Sequence, residues 1–220
     1  MSVFRKFLLF LIILSIPVFL LMTSIRLLLF PLYTELEYQR PGFPADQYGF
    51  TLQERLKWSR VSLDYLVNSA GIEFLEKQRL DENNPLYTER ESSHMLDVKN
   101  LVQAMLIVWP LIGIFIFGVG LISMKGGWLA LFWQAVSRGG WAAVGLIITI
   151  LIAVVVSFNA LFTSFHRIFF SGDTWLFLYS DSLIRLFPIP FWQDAFIVMG
   201  ILVLAGGVAL GLVGSKLAKR

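Results

Sequence analysis

Four stretches of this chain carry no Asp, Glu, Lys or Arg: Phe7 to Ile25, Ala104 to Met124, Gly139 to Phe165 and Ala195 to Ser215. A hydrocarbon core of about 30 Å is crossed by roughly 20 apolar helical residues. Inside it, only helices and closed barrels satisfy every backbone N–H and C=O. The expected fold is therefore an all-α membrane protein with four transmembrane helices. Composition supports this class, since only 15% of residues are charged against about a quarter in soluble domains. The whole chain, 1–220, reads as a single membrane domain with spans near 7–30, 101–124, 140–163 and 195–214. Arg5 and Lys6 precede the first run as in a signal peptide. That run exceeds the 7–15 residues of a typical h-region and lacks a small-residue cleavage site after it, so it reads as a retained helix.

Charge placement orients the spans. Arg5 and Lys6 flank the first run, Lys125 and Arg138 lie between the second and third, and Lys216, Lys219 and Arg220 follow the fourth. No acid occurs in those three segments, and all fifteen fall between spans one and two or between three and four. The positive-inside rule then places both termini and loop 125–139 on the cytoplasmic side. It leaves segment 33–97 and loop 164–194 outside. Trp128, Leu131, Phe132 and Trp133 give the cytoplasmic loop the character of an interfacial aromatic belt. Segment 33–97 reads as a small, mainly helical extracytoplasmic domain between spans one and two. Within it, Thr51 and Glu54 form a capping box ahead of an amphipathic helix that closes at Asn68–Gly71. Pro17 and Pro110 predict kinks inside spans, and Gly207-Val-Ala-Leu-Gly211 offers a small-residue face for close helix contact.

The chain has two histidines and no cysteine. Thiolate catalysis, thiolate metal sites and disulfides are excluded. Thr88 and Glu91 form a second capping box, so a helix starts near Glu89 and enters span two. On it Glu91, His94, Asp97 and Val98 share a face. If span three continues for two turns past its apolar run, His166, Phe169, Phe170 and Asp173 share one as well. His94 lies just before span two and His166 just after span three, so two crossings return them to one side at similar depth. By the charge argument this is the outer leaflet. Glu91, Asp97 and Asp173 are candidates to orient the rings; Arg26 and Arg167, near span ends, would either snorkel to the interface or hold carbonyl oxygens.

A serine elbow of the Gly-x-Ser-x-Gly type is absent, and so is the His-Glu-x-x-His zinc spacing. Two imidazoles suffice for general acid–base catalysis, because their ordinary pKa lets one accept a proton while the other donates. With nearby acids they would also supply a metal site, and as polar caps of helix ends they would serve a scaffold.

The segments Arg90-Glu91-x-x-His94-Met95-x-Asp97-Val98-Lys99 and Phe165-His166-x-x-Phe169-Phe170-x-x-Asp173-x-Trp175, in a four-span frame, resemble the bacterial lipoprotein intramolecular transacylases. The resemblance extends over most of the chain. It implies an acyltransferase that moves the sn-2 acyl chain of a diacylglyceryl-modified lipoprotein onto the α-amino group of its N-terminal cysteine, leaving a lyso-form lipoprotein. It implies His94 and His166 as the catalytic pair, no acyl-enzyme, no cofactor and no metal. The implied partners are the diacylated lipoprotein and membrane lipid, with no nucleic acid. Two rival readings stand beside it: a metal-dependent membrane hydrolase using the histidines and acids, and a non-enzymatic membrane scaffold.

Overall fold

A computed structural model describes residues 2–220, which are mainly helical. In chain order the elements are α1 (Val3–Leu28), α2 (Pro31–Tyr38), α3 (Leu52–Val67), α4 (Glu73–Glu76), α5 (Glu89–Lys125), α6 (Leu129–Phe169), α7 (Ser182–Leu186) and α8 (Ile189–Leu217). The four long ones, α1, α5, α6 and α8, are each apolar and long enough to cross a membrane. The helices divide into two compact units, and α5, α6 and α8 contribute to both.

The first unit comprises α1 to Arg26, Leu106–Val156 and Phe196–Arg220. Leu8, Leu9, Ile12 and Ile16 of α1 form its core with Val119, Trp128, Phe132, Ala135 and Val136. The stretch expected as loop 125–139 is thus a short turn followed by the opening of α6. Its Trp128 and Phe132 are buried in that core, because α1 and α5 present enough apolar surface to cover them. Helices α6 and α8 approach backbone to backbone. A Cβ on Gly140 would stand 2.6 Å from the Gly207 carbonyl, and one on Gly214 2.7 Å from that of Trp133. Ser137 Oγ donates to the Gly211 carbonyl at 2.7 Å, satisfying its hydroxyl where lipid would offer no partner. The Gly207–Gly211 face is therefore half of a helix seam.

The second unit comprises Leu27–Met105 and Ser157–Ala195. Segment 33–97 accordingly shares its packing with residues 164–194. Tyr38 Oη donates to the Leu186 carbonyl at 2.5 Å, Arg185 pairs with Asp46 at 3.0 Å, and Arg40 pairs with Asp194. The capping box on α3 is present, with Glu54 N–H donating to Thr51 Oγ1 at 3.2 Å and Thr51 N–H to Glu54 at 2.8 Å. At the other end of α3, Gln103 of α5 caps the last turn and Lys99 holds the chain just beyond it. Gln103 Nε2 donates to Leu66 O at 2.8 Å, and Lys99 Nζ reaches Asn68 Oδ1 at 3.1 Å while lying 4.0 Å above the Tyr65 ring. These contacts set the rotation of α5 one to three turns from His94.

Helix α6 is two helices in series. At Ser157 the backbone is extended (φ −162°, ψ 90°), and the Ser157 hydroxyl accepts the N–H of Ala160 at 3.3 Å. This is the N-cap pattern, so residues 158–169 form a separately started helix that carries His166.

Candidate functional site

The N-terminal turn of α5 brings in His94. Thr88 N–H and Oγ1–H donate to Glu91 Oε2 at 2.8 and 2.9 Å, completing the second capping box with the Glu91 N–H bond to Thr88 Oγ1 at 3.3 Å. The other oxygen of Glu91 accepts the N–H of Leu183 in the first turn of α7 at 2.7 Å. Glu91 therefore caps two helices at once, its own and one 92 residues further on. It is fully buried. Such a carboxylate is tolerated only when it is hydrogen-bonded, and here both of its oxygens accept.

His166 comes from the second half of α6. That helix stops at Phe169 rather than running on to Asp173. Gly172 takes a left-handed backbone, φ +67°, which costs little only for glycine, and the chain doubles back. Trp175 Nε1–H donates to the Gly172 carbonyl at 3.1 Å, and its ring returns to lie 4.9 Å from that of His166.

The two imidazoles meet. Their centroids are 5.9 Å apart with planes 23° from parallel, and both residues are buried. Phe170 packs against both, 4.9 Å from His94 and 5.5 Å from His166. Phe177 covers His94 at 5.4 Å and Phe162 covers His166 at 4.1 Å. The pair thus sits in an aromatic cage that restricts water while leaving nitrogen lone pairs and N–H groups as its main polar features.

The hydrogen bonds at the rings differ. His166 Nδ1 stands 2.8 Å from the Phe162 carbonyl. A carbonyl only accepts, so Nδ1 carries the proton and Nε2 of the neutral ring presents a lone pair. His94 Nδ1 is buried with no hydrogen-bond partner among the described residues. An orphaned buried nitrogen costs about 1–3 kcal/mol and marks a place where a further group would fit.

The expected orienting acids do not perform that task. Glu91 is occupied with the two caps, Asp97 is half-buried without a hydrogen bond to either ring, and Asp173 is exposed in the turn beyond α6. Arg167 is exposed, one residue round the helix from His166, and Arg26 is half-buried in α1, in the first unit. Among the described residues no group of three His, Cys, Asp or Glu converges as metal ligands. The Phe162 carbonyl and the Leu183 amide carried no signal in the sequence. Trp175 did, as part of the second histidine motif, and what only the fold shows is that Trp175 and Phe177 return onto the rings.

Residues 10–192 match the family model of the lipoprotein intramolecular transacylase Lit. The chain belongs to that family. It is therefore an integral membrane acyltransferase of the lipoprotein intramolecular transacylase class. An uncharacterized protein of Aquifex aeolicus (strain VF5) is 30% identical over 219 residues, 98% of each chain. In fold the transacylase is similar to the in meso structure of the membrane integral Lit from Bacillus cereus, with TM-score 0.81 and 18% identity over 97% of this chain and 95% of that one. A variant of that protein with one histidine replaced by alanine aligns with TM-score 0.72, at 18% identity over 97% of this chain and 93% of the other.

Proposed function

We propose that this transacylase moves the sn-2 acyl chain of a diacylglyceryl-modified lipoprotein to the α-amino group of the same molecule's N-terminal cysteine, with His94 and His166 as the catalytic residues. The carrying observation is the pair of buried imidazoles 5.9 Å apart, with no acid between them. One reacting ester carbon fits within hydrogen-bond reach of both rings. Amine and ester belong to one substrate, so holding them together supplies much of the rate through effective molarity.

His166 is the base in this reading. Its Nδ1–H is held by the Phe162 carbonyl, leaving Nε2 to take a proton from the neutral α-amine as nitrogen attacks the ester carbonyl carbon. His94 donates a hydrogen bond to the oxyanion that develops on the carbonyl oxygen. When the bond to the sn-2 oxygen breaks, that oxygen leaves with the proton His166 collected. An amide forms, an ester is lost, one hydroxyl is released, and both rings return to their starting state. No acyl-enzyme is involved.

The sidedness of the charges supports cytoplasmic termini and a site toward the outer leaflet, where lipid-anchored protein is presented. Expression in a bacterium that leaves its lipoproteins diacylated should yield N-acyl, mono-O-acyl cysteine peptides by mass spectrometry. Unchanged lipoprotein acylation would overturn the reading. For the metal-hydrolase alternative, no group of three possible ligands converges among the described residues, and activity in a sample shown to be metal-free would close it.

A further inference from the structure

We infer that the second unit holds a binding site, separate from the histidine pair, for the phosphodiester headgroup of a membrane phospholipid, with Arg55 as its anion contact.

A cavity of about 340 Å³ lies among residues 44–48, Arg55, Tyr179, Ile184, Arg185 and Pro188. That volume is in the range of small-molecule sites, about 300–1,000 Å³. Its two arginines are in different electrostatic situations. Arg185 is matched: its guanidinium pairs with Asp46 at 3.0 Å and donates to the Tyr48 carbonyl at 3.2 Å, over the Phe50 ring. Asp46 is the carboxylate among the lining residues, and Arg185 occupies it. Arg55 is only 4% exposed, and no ion pair with it occurs among the described residues. Its guanidinium donates to the Pro44 carbonyl at 2.8 Å and lies 4.6 Å from the Tyr38 ring and 5.0 Å from that of Phe43. Its Nε is buried without a hydrogen bond.

A buried charge without a counter-ion is costly, and one lining an open cavity is relieved by an anion entering it. Asp46 pairs with Arg185 and also acts at longer range on Arg55, so the lining of two arginines and one carboxylate carries a net single positive charge, which a phosphodiester's single negative charge would neutralise. The rim favours a lipid over a soluble anion. Leu176, Leu178 and Tyr179, on the strand of chain that leads to the cavity, are 48%, 68% and 76% exposed and offer apolar surface to acyl chains. Phe177, between them, covers His94, so an occupied cavity would steady the same segment that closes the histidine cage.

The test is native mass spectrometry of the full chain released from maltoside micelles supplied with phosphatidylglycerol, diacylglycerol or glycerol phosphate. Phosphatidylglycerol should be retained at one molecule per chain, with diacylglycerol and glycerol phosphate each at least tenfold weaker. Retention should fall tenfold or more in Arg55→Met, and also in Ile184→Trp, which fills the cavity without touching the contacts of Arg55. Equal retention in wild type and Ile184→Trp, or retention of diacylglycerol equal to that of phosphatidylglycerol, would overturn the site. Glycerol phosphate binding as well as the lipid would overturn the lipid as its occupant, as would displacement by an acidic lipopeptide at lower concentration than by phosphatidylglycerol. None of these readouts depends on acyl transfer, so they stand apart from the reaction proposed above.

Discussion

His166 owes its tautomer to one backbone atom. The Phe162 carbonyl, four residues earlier on the same helix, accepts from Nδ1 and leaves the Nε2 lone pair available for the base role proposed above. His166→Asn keeps a side-chain amide but loses the basic nitrogen, and His94→Asn loses the imidazole N–H. Each is expected to lower N-acylation by roughly 10²–10⁴-fold, the usual yield of a positioned acid or base, read as the ratio of N-acyl to diacyl peptide at fixed time. Glu91 acts at one remove. Removing it in Glu91→Ala leaves the buried Leu183 N–H without its acceptor, a loss of about 1–3 kcal/mol. Amide hydrogen exchange at Leu183 should accelerate, with Gln at position 91 restoring most of the protection. Unchanged exchange in the alanine variant would show that the bond contributes nothing.

At the scale of elements, α6 and α8 are joined by atoms too close to admit a side chain. Gly140→Val would press a Cβ to within 2.6 Å of the Gly207 carbonyl. Overpacking of this kind typically costs about 1–3 kcal/mol, so thermal unfolding in detergent should come several degrees lower. Gly145→Ala, where nothing lies within 4 Å, is the matched control and should leave unfolding unchanged. Small residues at 207 and 211 were readable as one face of a close contact. Their partners, Gly140 and Ser137, lie on another helix and had no such pattern. The break at Ser157 was equally illegible, since a serine in an apolar helix commonly bonds back to a carbonyl one turn earlier.

At the scale of the whole molecule, the second unit is tied across the chain by charged and polar pairs outside the spans. Burial pushes the Asp46 carboxyl up, but Arg185 and the amides of Phe50 and Tyr48 outweigh it and hold the group below its ordinary range. A depressed carboxylate contributes stability above its unfolded pKa and loses it as pH falls through the lower folded value. The stability of the protein should therefore decline on the acid side of the ordinary carboxylate range. Asp46→Asn should remove that part of the pH dependence, measured as the difference in Tm between the two proteins from neutral to acid pH. A constant difference would assign the acid sensitivity elsewhere.

The four apolar helices, both capping boxes, the family, and the expectation that two histidines converge are all legible in the residues alone. Each of these follows from local or additive physics: hydrophobic length against bilayer thickness, side-chain-to-amide bonding over three residues, and a count of crossings. What surrounds the rings follows from the folded chain instead. The reversal at Gly172, the return of Trp175, the Phe177 cover and the Glu91–Leu183 bond all depend on where distant segments meet. Of the acids chosen from spacing as orienters, Glu91 is claimed by other donors, Asp173 is left in solvent, and Asp97 is half-buried without a hydrogen bond to either ring. A buried imidazole takes the acceptor that the fold delivers, and here that was a carbonyl of its own helix.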